Sequence, residues 1–219
     1  MLLALAAVAA LASCSSDDDP VAEERSDEVR AAAADAGLSD EVADVLALAA
    51  QGMSATYRIT YPGTEGAAVV VSQEPPNHRV DIVVGDVVVE SRVLRDGVSY
   101  RCRAGTPARA GEALDCRRAA AAVQAPGSFT EEALDDFTAA LAGSVDRFDI
   151  TVEERTIADT PATCLVTAPT AGSAIDGTGP NVDTLCLSPE GAPLLTDADG
   201  ERVVADTYTV EVPDGTFDI

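Results

Sequence analysis

The sequence predicts an α+β protein in which a curved antiparallel β-sheet is covered on its concave face by helices. Three observations support this fold class. Two stretches show helical periodicity, and Val/Ile-rich segments with two-residue alternation follow each of them. Short separators containing Gly or Pro between those segments are typical of hairpin turns. Because a sheet buried on one face needs a cover, the helices are expected to supply it.

The first helix is predicted over residues 38–53. Ser39 is placed to cap it, and two acidic residues follow in the first turn, where the helix dipole favours them. Gly52 is expected to end the helix. Its apolar stripe consists of Leu38, Val42, Val45, Leu46, Ala49 and Met53.

Strands are predicted from residue 54 onward. In "SATYRITYP" the side chains of Tyr57, Ile59 and Tyr61 alternate with polar ones, the pattern of a half-buried strand. Turns are expected at Pro75-Pro76-Asn77, at Gly85-Asp86 and, most strongly, at Asp96-Gly97. Residues 103–118 are expected to form a loop.

A second helix is predicted over residues 128–143. Ser128 and Glu131 have capping-box spacing, and Gly143 is expected to end the helix. Its buried face is expected to consist of Leu134, Phe137 and Leu141.

The last third of the chain, from Phe148, is predicted to be strand again. Glu190-Gly191 and Asp199-Gly200 stand where hairpin turns are expected. Residues 169–181, rich in Gly, Pro, Thr and Ala, are expected to form an open loop.

The amino-terminal segment 1–13 contains only aliphatic and small side chains besides Ser13, and it is too short to cross a hydrocarbon layer about 30 Å thick. It is typical of a signal-peptide core, and we expect basic residues to precede it. Leu11-Ala12-Ser13-Cys14 resembles the lipobox of bacterial lipoproteins. That resemblance implies cleavage before Cys14 and diacylation of its sulfur, since a thiolate is the nucleophile that attacks the lipid donor. The alternative is an ordinary secretory signal that ends in a chance cysteine.

Residues 15–28 are acidic, with Arg25 as the one opposing charge, and they are expected to form a solvated tether. We therefore predict a lipoprotein signal peptide at 1–13, the lipidated cysteine and tether at 14–37, and one domain at 38–219. The formal net charge of −24 disfavours nucleic-acid partners. The predicted location is the extracytoplasmic face of the cell membrane, held by the lipid anchor.

Four further cysteines are expected to form two disulfides, because an exported chain meets oxidising conditions. Three pairings are open, and proximity favours Cys102 with Cys116 and Cys164 with Cys186. A zinc site is the competing interpretation, but the spacings are long and uneven and no Cys-x-x-Cys motif occurs.

Catalytic signatures are not found in the sequence. His78, the one histidine, is interpreted as an exposed turn residue, since no serine-nucleophile motif accompanies it. "DADGE" at 197–201 resembles the start of a calcium loop, but the twelfth position holds Tyr208 rather than glutamate, which favours a hairpin turn. We expect a protein that is not an enzyme and needs no cofactor.

The order of elements, together with "VLRDGVSYRC", "LCLSPEGAPLL" and "DTYTVEVPDGTF", resembles the LolA and LppX/LprG half-barrel lipoproteins. The resemblance implies a half-barrel fold and a cleft between sheet and helices that receives the acyl chains of a lipid or glycolipid. The wall residues it implies are Val45, Leu46, Ala49, Tyr57, Ile59, Val83, Val88, Leu134, Phe137 and Leu141.

Two alternatives stay open at this point. The same side chains also suit a closed core without a ligand, which is the more common role of any one such residue. The fold also resembles the amino-terminal part of periplasmic regulators of envelope stress, which implies a sensor or surface protein that binds a membrane-protein partner.

Overall fold

The computed structural model describes residues 20–109, 114–120, 129–170, 182–198 and 200–219. Within these ranges the protein is α+β, all strand pairs are antiparallel and neither sheet is closed, which confirms the fold class at this level. The helices are α1 (Pro20–Asp35), α2 (Asp40–Gly52) and α3 (Glu131–Ala142), with a 3-10 turn at Thr64–Gly66. The strands are β1 (Tyr57–Pro62), β2 (Ala67–Glu74), β3 (Asn77–Val84), β4 (Val87–Arg95), β5 (Val98–Arg109), β6 (Asp115–Arg118), β7 (Phe148–Ile157), β8 (Thr160–Pro169), β9 (Val182–Leu187), β10 (Pro193–Ala198), β11 (Glu201–Val204) and β12 (Thr207–Thr209).

Helix α1 corrects the prediction of a solvated tether. The helix starts at Pro20, a residue whose fixed φ suits the first helical position. Val29 and Ala33, four residues apart, are buried against α2 and α3. From residue 23 onward, Val29 and Ala33 are the buried side chains of this helix, and the acidic composition around them hides its helical periodicity.

The ends of α2 and α3 follow from capping. Ser39 caps α2 as predicted, since its side chain accepts a hydrogen bond from the Val42 amide. Helix α3 is capped by Thr130, whose side chain accepts from the Ala133 amide, whereas the predicted cap Ser128 lies outside the described residues. Gly143 follows the last residue of α3, as predicted.

The seven-stranded sheet has the order β12-β1-β2-β3-β4-β5-β6. The alternation in β1 is confirmed, because Tyr57, Ile59 and Tyr61 are buried and the residues between them are half-buried. Asp96 and Gly97 form the β4–β5 turn with positive φ at both positions. The loop prediction for 103–118 is wrong: β5 continues along β4 to Arg109, and β6 pairs with β5.

The five-stranded sheet has the order β11-β10-β9-β8-β7. Where the sequence favours one curved sheet, hydrogen bonding therefore defines two. The chain passes from one to the other within residues 201–209. The Ala205 amide donates to the Leu194 carbonyl on β10 at 2.7 Å, and the next amide, of Asp206, donates to the Thr60 carbonyl on β1 at 2.8 Å. The two sheets thus share one continuous extended segment.

Both disulfides join residues that lie directly opposite each other on neighbouring antiparallel strands. Cys102 on β5 bonds to Cys116 on β6, and Cys164 on β8 bonds to Cys186 on β9. The pairing that sequence proximity favours is confirmed. Three of the four side chains are fully buried, Cys116 being the half-buried one.

The two faces of the five-stranded sheet pack against different partners. On β8, Leu165 packs against the helices, whereas the preceding Cys164 packs against β1–β3, as expected for neighbouring residues in a strand. The helix-side cluster consists of Val29, Ala33, Leu38, Val42, Ala43, Val45, Leu46, Ala49, Ala50, Leu134, Phe137, Leu141, Leu165, Leu185 and Leu187. The inter-sheet cluster consists of Tyr57, Ile59, Tyr61, Val71, Val80, Ile157, Ala162, Cys164, Cys186, Ala192, Leu194, Leu195 and Ala205.

The carboxyl-terminal segment packs on the face of the seven-stranded sheet opposite the inter-sheet cluster. Arg79 and Asp81, side by side on β3, form an ion pair at 2.8 Å whose side chains are only 15% and 12% exposed. Arg79 Nη1 also donates to the Thr216 carbonyl at 2.6 Å, and Phe217 is buried nearby in the chain. The segment therefore excludes water from an ion pair that would otherwise be exposed.

Candidate functional site

The candidate site lies between the helices and the five-stranded sheet. Six of the predicted ligand-binding residues belong to the helix-side cluster: Val45, Leu46, Ala49, Leu134, Phe137 and Leu141. Small side chains on α2, chiefly alanines, let the helix approach the strands closely. Leu165, Leu185 and Leu187 supply the facing surface of the sheet. These side chains fill the space between the helices and the sheet.

An open groove of about 540 Å³ lies beside this cluster, a volume within the roughly 300–1,000 Å³ typical of small-molecule sites. Its apolar wall is formed by Val45, Leu48 and Val152. Because Val45 belongs to the helix-side cluster and the other two pack against it, this wall is continuous with the buried apolar interior. The complete lining is Ser26, Arg30, Glu41, Asp44, Val45, Ala47, Leu48, Gln51, Val152 and Thr163.

Charged side chains border the groove on its helical side. Arg30 on α1 donates through Nε to Asp44 Oδ1 on α2 at 2.8 Å and through Nη1 to Asp27 Oδ1 at 2.8 Å. The hydrogen bond with Asp44 raises the pKa of the Arg30 guanidinium above its ordinary value. Glu41 adds another acidic group to the lining. An apolar wall with a charged border suits a ligand that has an apolar body and a polar end.

The carboxyl end of α2 is fixed to the seven-stranded sheet. The side-chain amide of Gln73, on β2, donates to the carbonyls of Gly52 at 2.8 Å, Ala55 at 2.9 Å and Met53 at 3.3 Å. Tyr57 Oη donates to Gln73 Oε1 at 3.2 Å, and burial raises the pKa of this phenol. The Gln73 amide thereby ties the end of the helix, and the residues that follow it, to β2.

A second contact at this end is a close approach of two backbones. Gly52 ends α2, and Gly191 lies in the turn between β9 and β10 with φ +82°. A Cβ on Gly52 would stand 2.0 Å from the Gly191 carbonyl oxygen, and a Cβ on Gly191 would stand 2.1 Å from the Leu48 carbonyl oxygen. Only glycine at both positions lets the helix sit against this turn.

The turn itself is held by a compact polar cluster. Ser188, fully buried, accepts hydrogen bonds from the Glu190 amide at 3.2 Å and the Ala192 amide at 3.1 Å. Its hydroxyl lies 3.0 Å from Glu190 Oε2 and 3.1 Å from Tyr208 Oη, and Tyr208 donates to the same carboxylate. Burial raises the pKa of Tyr208, so the phenol keeps its donor proton. The cluster positions Gly191 under α2.

The remaining predicted ligand residues lie elsewhere. Tyr57 and Ile59 are buried in the inter-sheet cluster, on the far face of the five-stranded sheet from the helices. Val83 and Val88 are half-buried and form a register pair near the β3–β4 turn. Cys14 lies outside the described residues. Of the ten residues, Val45 is the one that lines the groove.

The groove residues on α1 could not be found while residues 15–28 were interpreted as a tether. Ser26 and Arg30 line the groove because α1 packs beside α2. The available signal was the four-residue spacing of Val29 and Ala33. Arg30 lies one turn before Ala33, and Arg25 is the other basic residue of this helix.

His78 corrects another expectation, that of an exposed turn residue. It is the second residue of β3, opposite Gln73 on β2, and only 9% of its surface is exposed. Burial lowers its pKa to about 4, so the imidazole is neutral near pH 7. Its Nε2 has no hydrogen-bond partner among the described residues.

No group of three or more His, Cys, Asp or Glu side chains suited to a metal ion occurs in the described part of the chain. The helices described there include none with the length and apolar character needed to cross a membrane. Comparison with protein-family models finds no match, and comparison with curated proteins finds none either.

Proposed function

We propose that this chain is a lipid-anchored extracytoplasmic protein that binds an amphipathic lipid in the groove between α1, α2 and the five-stranded sheet. The observation that carries the proposal is the continuity of the groove wall with the helix-side cluster. An acyl chain lying along Val45, Leu48 and Val152 would remove methylene groups from water at about 0.8 kcal/mol each. Arg30 at the border would face the polar end of the ligand.

We also propose that the fold is a half-barrel. We take the two sheets as the two parts of one half-barrel-like layer, joined where residues 201–209 pass from β10 to β1. The ligand would then lie on the helix-covered face of the second part. The inter-sheet cluster, to which both sheets contribute, supports a single folded body, and the packing of Val29 and Ala33 extends that body to α1. Attachment to the membrane would come through Cys14.

Ligand binding is testable with a tryptophan placed in the groove, because the chain contains no tryptophan. In Leu48→Trp, a brominated fatty acid that enters the groove should quench the emission in a saturable titration. The matched control is Val145→Trp, at an exposed position after α3, which should show no saturable quenching. Equal quenching in both variants, or none in Leu48→Trp while far-UV circular dichroism shows a folded protein, would contradict the proposed site.

The role of Arg30 is tested in the same titration. Arg30→Gln in the Leu48→Trp background should weaken binding of a fatty acid but leave binding of the uncharged fatty alcohol unchanged. A chain that binds both ligands as before would show that Arg30 does not contact the polar end. If the Leu48→Trp parent itself binds neither ligand, the protein-partner alternative is favoured.

Anchoring is tested separately by growing an expressing bacterium with labelled palmitate. The wild-type chain should carry the label, and Cys14→Ser should carry none. A wild-type chain without label would refute the lipid anchor and leave the groove experiment unaffected.

A further inference from the structure

The arginines of this acidic protein are concentrated in one region. Residues 92–118 hold seven of its fourteen arginines against three acidic residues, whereas the whole chain has a net charge of −24. This region contains the last part of β4 and all of β5 and β6, at one edge of the seven-stranded sheet. Such a local reversal of charge favours an anionic partner.

Four of these arginines share one face of the sheet. Arg92, Arg101 and Arg117 lie directly opposite one another on β4, β5 and β6, and residues so paired project on the same side. Arg103, two residues after Arg101, projects on that side as well. We call these four side chains the arginine cluster. Like charges placed directly opposite each other destabilise a sheet, so folding alone does not favour this row.

In the part of the chain that the structure describes, two carboxylates partly offset the arginine cluster. Glu90 accepts from Arg101 Nη2 at 2.9 Å and lies 3.3 Å from Arg92 Nε and 3.9 Å from Arg103 Nε. The hydrogen bond from Arg101 lowers the pKa of Glu90, which keeps it ionised. The second carboxylate belongs to Asp115 on β6, directly opposite Arg103. Its Oδ2 lies 3.5 Å from Arg117 Nη2.

The arginine cluster keeps unused donors. Each guanidinium has five N–H groups, and among the described residues these four guanidinium groups face two carboxylates. The arginine side chains are between 47% and 84% exposed, so these donors are open to solvent. Guanidinium groups match the oxygen geometry of phosphate better than ammonium groups do.

Exposed apolar side chains stand next to the arginine cluster. Val84 and Val89, 47% and 38% exposed, flank the β3–β4 turn at Gly85 and Asp86, and Val89 immediately precedes Glu90. We call residues 83–89 the valine hairpin tip. It includes the half-buried pair Val83 and Val88. Apolar side chains beside a cationic surface are the combination that binds membrane interfaces.

From this arrangement we infer that the valine hairpin tip and the arginine cluster together form a contact surface for a membrane containing anionic phospholipid. The valines would enter the headgroup region, and the guanidinium groups would bind lipid phosphates. Acidic groups on other parts of the protein are screened from the membrane beyond about 10 Å at 0.1 M salt. The inference goes beyond the proposed function, since it depends neither on acylation of Cys14 nor on the groove.

The test uses the full chain with Val84→Trp as a reporter. Vesicles of phosphatidylcholine with added phosphatidylglycerol, carrying brominated acyl chains, should quench this tryptophan at about 0.1 M salt, where the acidic groups elsewhere are screened. Pure phosphatidylcholine vesicles should quench it much less, and high salt should reverse the quenching. Because the reporter senses only its own position, quenching is read independently of how the amino terminus attaches to the vesicle. Val210→Trp, another exposed position, should not be quenched.

The arginines are tested in the Val84→Trp background. Arg101→Gln with Arg117→Gln removes two cations, and at about fivefold per arginine near an anionic surface the binding constant should fall about 25-fold. Arg155→Gln with Arg202→Gln changes the net charge equally on the five-stranded sheet and should leave binding nearly unchanged. Equal losses in both pairs, or no loss in the first, would overturn the inference. So would equal quenching by neutral and anionic vesicles.

Discussion

Among the contacts that fix the helices on the sheets, we expect the one between Gly191 and α2 to tolerate substitution least. Gly191→Ala would place a Cβ 2.1 Å from the Leu48 carbonyl oxygen and 2.6 Å from the Gly52 nitrogen. Both are backbone atoms of α2, so neither can rotate away. The variant must move the helix or the β9–β10 turn.

The magnitude follows from comparing two glycines with the same backbone conformation. Gly37 and Gly191 both have φ +82°, but a Cβ on Gly37 would meet nothing within 4 Å. Alanine in the left-handed region costs about 1–2 kcal/mol, of which the stiffer unfolded chain offsets about 0.4–1 kcal/mol. Gly37→Ala should therefore lose about 1 kcal/mol. Overpacking adds about 1–3 kcal/mol, so Gly191→Ala should lose about 2–4 kcal/mol in total.

The measurement is urea unfolding of both variants, followed by far-UV circular dichroism. The difference between their free energies of unfolding isolates the steric contact, since the conformational cost is common to both. In the Leu48→Trp background, Gly191→Ala should also weaken fatty-acid binding, because Leu48 belongs to the displaced helix. If Gly191→Ala loses no more stability than Gly37→Ala, the close approach does not exist in solution and the reasoning fails.

Three further outcomes are expected. Cys164→Ala with Cys186→Ala should cost about 3 kcal/mol from the loop-entropy relation for a separation of 22 residues, measured by urea unfolding; a loss near zero would contradict the bond. His78 has a pKa of about 4 when folded and about 6.5 when unfolded, so the unfolded state binds more protons between these values and stability should fall as pH drops from 6.5 to 4. His78→Leu should remove that part of the slope, and identical slopes for variant and wild type would refute the burial. Asp81→Ala leaves the Arg79 guanidinium without its carboxylate partner under the carboxyl-terminal segment. The free energy of unfolding should fall by about 3–5 kcal/mol, the range for breaking a buried pair, reduced by the hydration that Arg79 gains from water reaching the site. Arg79→Ala with Asp81→Ala should cost less than Asp81→Ala alone, because no unpaired charge remains.

Local patterns predicted much of the fold. Helix α2 was readable because Ser39, the apolar stripe and Gly52 agree with one another. The hairpin turns were readable because Asp96-Gly97 and similar pairs favour positive φ. The disulfides were readable because each pair is close in sequence and joins neighbouring strands. In each case the determining interaction lies within about twenty residues.

Features that depend on distant contacts were not readable. Helix α1 is stabilised by burial of Val29 and Ala33 against other helices, which its acidic composition does not indicate. Strand β6 forms by pairing with residues 100–103 of β5, although the segment between Cys102 and Cys116 has no alternating apolar pattern. His78 is buried on β3 between β2 and β4, which its position directly after the Pro75-Pro76-Asn77 turn signal does not indicate. The division of the candidate wall residues between two clusters likewise follows from which face of the five-stranded sheet each one meets.

The attachments of α2 bear on how a ligand would enter. Its carboxyl end is held by directional contacts, namely the Gln73 amide on three carbonyls and the Gly191 approach. Toward the sheet, by contrast, it presents aliphatic side chains of the helix-side cluster. Apolar contacts have no preferred direction, so methylene groups of a ligand can replace those between helix and sheet without leaving a buried polar group unpaired. We therefore expect α1 and the amino-terminal half of α2 to move away from the sheet when a ligand binds, while the Gly52 end of α2 stays fixed. Hydrogen exchange in the Leu48→Trp chain should then change on adding fatty acid at the amides of α1 and early α2 and remain constant at the last turn, and a uniform change along α2 would contradict this hinge.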